Sequence, residues 1–268
     1  MKARINGMTM GYDDRGAGLP IVFLHAFPLN RRMWTEQELT LSRIFRIITV
    51  DLRGHGESEG SLESFSLDQA ADDVQALLDF LAIEQAVFVG LSMGGYILLA
   101  LYRRHAHRIQ GMVLADTKAQ ADTAEAKNGR VHMAETASQQ GPAAIADIMI
   151  PRLLSPATIQ TKKQLVDDVR TMIEATSVRV ITADLTAMAQ RPDSTSLLPS
   201  IACPTTIIVG ELDIATPLAD AALLADRIPG AQLSVISDAA HLSNLEQPLV
   251  FNKLIRSFAA QRAAKWNR

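Results

Sequence analysis

The sharpest chemical signal in this 268-residue chain is Gly90-Leu91-Ser92-Met93-Gly94. An apolar, β-branched run, residues 86–90, precedes it, and a helical pattern opens at Met93. The serine therefore falls on a strand-to-helix turn. A serine hydroxyl is a weak nucleophile until it is presented to both a carbonyl and a base. Gly90 and Gly94 leave space on such a turn where a Cβ would clash. The start of the following helix offers free N–H groups where an oxyanion would form. The chemistry that this arrangement serves is acyl transfer through Ser92.

A base and an acid are needed beside it. His241 follows the last apolar run and precedes the last helical pattern. That puts it on the same sheet edge as Ser92, and an imidazole titrates near neutral pH. Asp213 lies just past another strand end, where a carboxylate can hold the imidazole tautomer. Glu211 is its local competitor and Asp116, at a third strand end, its distant one. The segment His25-Ala26-Phe27-Pro28 follows the first strong strand. The backbone N–H groups of Phe27 and Met93 are the expected oxyanion donors.

The elements that must position these residues can be read from periodicity. Buried-strand patterns occupy residues 20–25, 46–51, 86–90, 111–116, 205–210 and 232–236. Continuous apolar runs of this length suit a parallel sheet covered on both faces. Helical patterns lie between them, at residues 66–81, 93–104, 218–227 and 247–262. Ser66 is a plausible N-cap, with Gln69 three residues on as in a capping box. Strands alternating with helices imply a doubly wound, mostly parallel α/β sheet, whose ligands bind outside the carboxyl ends of the strands.

Residues 117–200 differ. They contain no convincing strand and are rich in Ala, Met and Thr, with breaks expected near Gly141-Pro142, Pro151 and Pro156. We read them as a helical cap between two parts of a core, residues 1–116 and 201–268, with a linker at residues 191–193. Met133, Ile148, Met149, Leu153 and Met188, with Ile145 and Leu154, are candidates to line an apolar substrate pocket. They serve equally well as glue between cap and core.

Composition narrows the function classes. The net charge of −3 leaves no basic surplus for a phosphate backbone, which argues against nucleic-acid binding. Cys203 is the only cysteine and cannot form an internal disulfide, which fits a cytoplasmic protein. No apolar stretch follows the first basic residues and no run of about 18 apolar residues occurs, so neither a secretory signal nor a membrane span is expected. His105, His107 and His132 lack the spacing and carboxylate company of a metal site. No metal or organic cofactor is expected. Nothing in the sequence chooses between a monomer and a homodimer.

At these residues the chain resembles the α/β-hydrolase superfamily, over about residues 5–262. Four motifs stand in the family's order: the oxyanion loop at His25 to Pro28, the turn Asp51-Leu52-Arg53-Gly54-His55-Gly56-Glu57-Ser58, the elbow around Ser92, and the acid and base at Asp213 and His241. The resemblance implies a hydrolase core with a cap, and a structural rather than catalytic role for the Asp51 to Ser58 turn. Within the superfamily the chain looks closest to the branch of esterases, cofactor-free haloperoxidases (perhydrolases) and 3-oxoadipate enol-lactonases. The pair Met33-Trp34 and the elbow Gly-Leu-Ser-Met-Gly-Gly support this, and Trp34 joins the candidate substrate contacts. Ser92 argues against relatives that use Asp at the elbow. The family usually has His-Gly in the oxyanion loop. Ala26 stands there instead, at a steric cost if that position needs a positive φ.

The expected activity is cleavage of a small carboxylic ester through an acyl-enzyme. A lactonase, a carbon–carbon bond hydrolase or a perhydrolase on the same residues are the alternatives. A non-enzymatic small-ligand receptor is the rival from another class, and it would keep its ligand binding after Ser92→Ala.

Overall fold

The computed structural model describes residues 1–63 and 65–266. In chain order the core begins with β1 (Lys2–Ile5), β2 (Met8–Arg15), β3 (Pro20–Leu24), α1 (Thr35–Leu41), β4 (Arg46–Val50) and α2 (Leu67–Phe80). It continues with β5 (Ala86–Leu91), α3 (Met93–His105) and β6 (Ile109–Ala115). Five helices follow: α4 (Ala124–Gln140), α5 (Pro142–Leu153), α6 (Pro156–Thr161), α7 (Lys163–Glu174) and α8 (Val178–Gln190). The chain then returns to the sheet with β7 (Thr205–Gly210), α9 (Leu218–Arg227), β8 (Gln232–Ile236), α10 (Ser243–Glu246) and α11 (Pro248–Trp266).

The eight strands form one sheet in the order β1-β2-β4-β3-β5-β6-β7-β8. From β4 to β8 all neighbours are parallel, and β1 and β2 are antiparallel additions at one edge. This is the α/β-hydrolase fold, with helices around a mostly parallel sheet. Every residue of β3, β5 and β7 is buried, as their uninterrupted apolar runs require. Each fully buried aliphatic side chain contributes roughly 1.5–3 kcal/mol relative to exposure.

Sequence reading began the sheet at Pro20. The structure adds the hairpin β1–β2 ahead of it, and its turn has a local sequence signal. Asn6 and Gly7 both have positive φ, 43° and 71°, in a two-residue connection. Asn-Gly is the preferred pair for such a turn. Ser66 caps α2 as expected, its side chain accepting the Gln69 N–H at 3.2 Å. Pro142 and Pro156 open helices, where a missing N–H costs nothing. Pro151, by contrast, does not break the chain. It sits in the last turn of α5, which runs on to Leu153.

The sheet's order places the site. The chain passes from β3 outward to β4 on one side, then returns to β5 on the other. The switch point of the sheet thus lies between β3 and β5, and crevices at such points receive ligands. Register aligns Leu24 with Gly90, Leu91 with Ala115, and Gly210 with Ile236. The loops that follow β3, β5, β6, β7 and β8 therefore leave one edge together.

Candidate active site

Ser92 ends β5 and caps α3 with φ 55° and ψ −114°, a conformation an L-residue adopts only under strain. The turn closes because its glycines permit it. A Cβ on Gly90 would stand 2.4 Å from the Gly94 carbonyl oxygen, and one on Gly94 2.2 Å from that of Leu24. Any larger residue would push α3 off the sheet. The strain holds the serine side chain clear of both strand and helix.

The Ser92 hydroxyl meets His241 Nε2 at 2.8 Å, and His241 Nδ1 meets Asp213 Oδ2 at 2.8 Å. With Nδ1 bearing the proton, the imidazole donates to the carboxylate and accepts from the serine. Asp213 also accepts the N–H groups of Ala215 (2.8 Å) and Thr216 (3.0 Å) and the Thr216 hydroxyl (2.7 Å). Burial opposes its ionisation, but the His241 charge and these donors outweigh it and hold the carboxyl below its ordinary range. Burial likewise disfavours the His241 cation. Asp213 outweighs it, and the net direction is upward.

Neither of the competing acids makes this contact. Glu211 is exposed in the turn after β7. Asp116 is fully buried one strand away, where its Oδ1 accepts the Gly210 N–H at 2.7 Å and its Oδ2 lies 2.5 Å from the Ser243 hydroxyl. Burial first, then the Asp213 charge, push its carboxyl up to about 8. Asp116 thus bridges the strand that leads to Asp213 and the loop that follows His241.

Phe27 lines the cavity above Ser92, and Met93 is the first residue of α3. Among the described residues neither N–H has a backbone acceptor. Ala26 does not have a positive φ, so its Cβ incurs no strain there. Its N–H is directed to the Met33 sulfur at 3.2 Å. Below it, His25 is buried, its Nδ1 donating to the Ala26 carbonyl (2.9 Å) and its Nε2 accepting the Leu52 N–H (3.0 Å). Burial drives its pKa well down. The Asp51 to Ser58 turn is cross-braced: Asp51 accepts the Arg31 and Glu57 N–H groups, and Arg53 grips Asp73 with two hydrogen bonds of 2.8 and 2.7 Å.

A cavity of about 430 Å³ opens over Ser92 and His241, in the range of small-molecule sites. The cap helices supply Met133, Met149, Leu153 and Met188 to its wall. Two other candidates lie elsewhere. Trp34 is fully buried in the core between Phe23 and Phe251, ring centroids 5.0 and 6.0 Å away. Ile148 is on the solvent side of α5, one helical step off the face that carries Met149 and Leu153. Ile145 and Leu154 are buried and pack within the core. The sequence reading missed Tyr96, Lys118, Arg130 and Arg152, which also line the cavity. Tyr96 sits one helical turn beyond Ser92, a spacing that could have found it. The others face the cavity only through the tertiary path of the cap.

His105 pairs with Asp72 (2.8 Å), and among the described residues no cluster of three or more His, Cys, Asp or Glu side chains could hold a metal ion. No helix of the described residues is long and apolar enough to cross a membrane.

Comparison with known proteins agrees with this architecture. A family model described as the alpha/beta hydrolase fold matches residues 20–148. A 3-oxoadipate enol-lactonase of Acinetobacter baylyi is 31% identical, over 94% of this chain and 92% of its own. A malate-bound thermophilic esterase from Thermogutta terrifontis superposes with a TM-score of 0.95 at 37% identity, covering 98% of this chain and 99% of the esterase. The enol-lactonase from Burkholderia xenovorans superposes with a TM-score of 0.91 at 31% identity, over 97% of this chain and all of the other. With full-length relatives at this identity and the same fold throughout, the chain belongs to the α/β-hydrolase family.

Proposed function

We propose that this protein is a serine hydrolase that cleaves a small carboxylic ester through an acyl-enzyme. The observation that carries the reading is the unbroken path from Asp213 through His241 to the Ser92 hydroxyl, two contacts of 2.8 Å each. His241 takes the serine proton as Ser92 Oγ attacks the carbonyl carbon. The negative charge on the carbonyl oxygen is received by the N–H groups of Phe27 and Met93. The tetrahedral intermediate collapses, the C–O bond to the alcohol breaks, and His241 delivers its proton to that oxygen. Water then repeats the sequence on the acyl-enzyme and releases the acid. Asp213 keeps Nδ1 protonated and stabilises the imidazolium that forms in each half-reaction.

A lactone is the second substrate form, favoured by the enol-lactonases among the full-length relatives. It needs the same residues and a cavity that accepts a ring, with the alcohol remaining tethered to the acyl group.

The test is turnover of aryl and alkyl esters of graded acyl length together with simple lactones, with Ser92→Ala as the control. Turnover that Ser92→Ala abolishes supports the reading, and the preferred compound sets the size of the acyl pocket. Turnover that survives Ser92→Ala overturns it.

A further inference from the structure

The cavity over Ser92 holds more charge than ester cleavage needs. Lys118, Arg130 and Arg152 all line it, in a chain whose net charge is −3. Among the described residues no carboxylate lies within ion-pair distance of Lys118, which is half-buried, or of Arg152, at the end of α5. Arg152 is near enough to His241 that its charge lowers the imidazole pKa. Arg130, on α4, is bonded to Asp122, but that buried carboxylate is shared with Arg191, whose Nη1 lies 2.8 Å from Asp122 Oδ1. Two guanidinium groups thus meet one carboxylate, and Arg191 stacks 4.1 Å over the ring of Tyr96 in the same wall. The remaining carboxylate of the lining, Glu125, is exposed on the rim and pairs with no cation among the described residues.

A cleft lined by several cations favours an anionic occupant, because their fields add at the position it would fill. Guanidinium is also the side chain best matched to a carboxylate. We propose that the substrate carries a carboxylate besides its scissile ester or lactone, and that Arg152 and Lys118 receive it in front of the Arg130–Asp122–Arg191 wall. This rests on the serine-hydrolase reading and adds to it the charge class of the substrate. Arg152 and Lys118 are specificity residues in this scheme, since they touch the substrate away from the reacting atoms.

The test compares esters matched in size and different in charge, with acid release followed by pH-stat. Monomethyl glutarate against methyl pentanoate places the carboxylate on the acyl side. A 4-acetoxybutyrate salt against pentyl acetate places it on the alcohol side. In the wild type, at least one anionic ester is expected to exceed its neutral partner about tenfold or more in kcat/KM, the scale of one charge-assisted hydrogen bond. Arg152→Gln and Lys118→Gln should each shrink that ratio, Arg152→Glu should invert it, and added salt should weaken it. Neutral esters preferred on both sides, or a preference that survives these substitutions, would overturn the inference while leaving the hydrolase reading intact. If no ester is turned over in a Ser92-dependent way, the hydrolase reading fails and calorimetry with glutarate decides the inference alone. Binding that the Arg152→Gln/Lys118→Gln double variant loses sustains it, and no binding by the wild type overturns it.

Discussion

His55 Nε2 lies 3.0 Å from Asp184 Oδ2, and both side chains are withdrawn from water, although His55 belongs to the turn after β4 and Asp184 to cap helix α8. The two groups meet without an aligned hydrogen bond, and burial raises the Asp184 carboxyl against the pull of His55. The His55 ring also meets the His25 ring edge-on, centroids 4.7 Å apart, and His25 supports the loop that carries Phe27. One imidazole therefore connects α8 to the loop after β3 that carries Phe27. The turn after β4 thus also packs against the helices between β6 and β7.

Removing one partner of a buried pair strands the other, at about 3–5 kcal/mol. We expect Asp184→Asn to lower stability on this scale in urea or thermal unfolding. The pH dependence has a definite sign. Burial disfavours the His55 cation, yet Asp184 outweighs it and the pKa is raised above 6.5. A raised folded-state value means that the pair's contribution is complete below pH 6.5 and is lost as pH rises through the folded pKa. The stability difference between wild type and Asp184→Asn should therefore narrow toward alkaline pH. His25, Asp51 and Arg53 surround His55 and are common to both proteins. A constant difference across pH 6–9 would show that packing, not charge, makes the contact.

Ser92, the proposed nucleophile, sits in a strained conformation with φ 55°. Ser92→Ala should lower kcat by about 10⁶, the loss typical of a deleted nucleophile, while retaining the fold. The alanine keeps the φ of 55° and therefore the strain. Ser92→Gly removes both the nucleophile and the Cβ, and relief of about 1–3 kcal/mol of strain exceeds the entropy glycine adds to the unfolded chain. Thermal melting should place Ser92→Gly above Ser92→Ala. The reverse order would mean that the elbow is not strained in solution.

Two buried carboxyls near His241 should respond oppositely to the same substitution. Asp213→Asn removes the acceptor that fixes the imidazole tautomer, and a loss of about 10⁴ in kcat is expected. Burial, with the Asp213 charge beside it, pushes the Asp116 carboxyl up to about 8, which favours its uncharged form near neutral pH. Its asparagine variant is uncharged as well and keeps an oxygen that can accept the Gly210 N–H. Asp116→Asn should stay within about tenfold of wild type at pH 7, and the two should diverge only above pH 8. A greater loss from Asp116→Asn than from Asp213→Asn would move the role of the acid to Asp116.

The sheet and the loops after its strands were legible because each signal was local. Parallel strands announce themselves as apolar runs, the elbow as two glycines around a serine, and Asp213 and His241 by following strand ends. The hairpin β1–β2 is not among the uninterrupted apolar runs because its strands alternate, with Ala3, Ile5, Met8 and Met10 buried between exposed or half-exposed Lys2, Arg4 and Thr9. Cap contacts were legible only in part. Met133, Met149, Leu153 and Met188 reach the cavity, whereas Ile148 faces water on the same helix as Met149. The wall of arginines was not legible at all. Lys118, Arg130 and Arg152 are far apart in sequence, and only tertiary packing brings their charges to one cavity, with Arg191 behind it on Asp122.

The pH profile of turnover joins the base to that wall. His241 must be neutral to accept the serine proton, so kcat/KM should rise with pH through its pKa. Asp213 outweighs burial and raises that pKa, so the inflection is expected above 6.5. Arg152 pulls in the opposite direction, since its charge opposes a second positive charge on the imidazole. Arg152→Gln should therefore move the inflection to higher pH and reduce activity on the acid side of the profile, even with a neutral ester. The displacement should shrink as salt is added, because Arg152 is exposed and its field is screened. An inflection unmoved by Arg152→Gln at low salt would mean that the guanidinium does not lie beside the base.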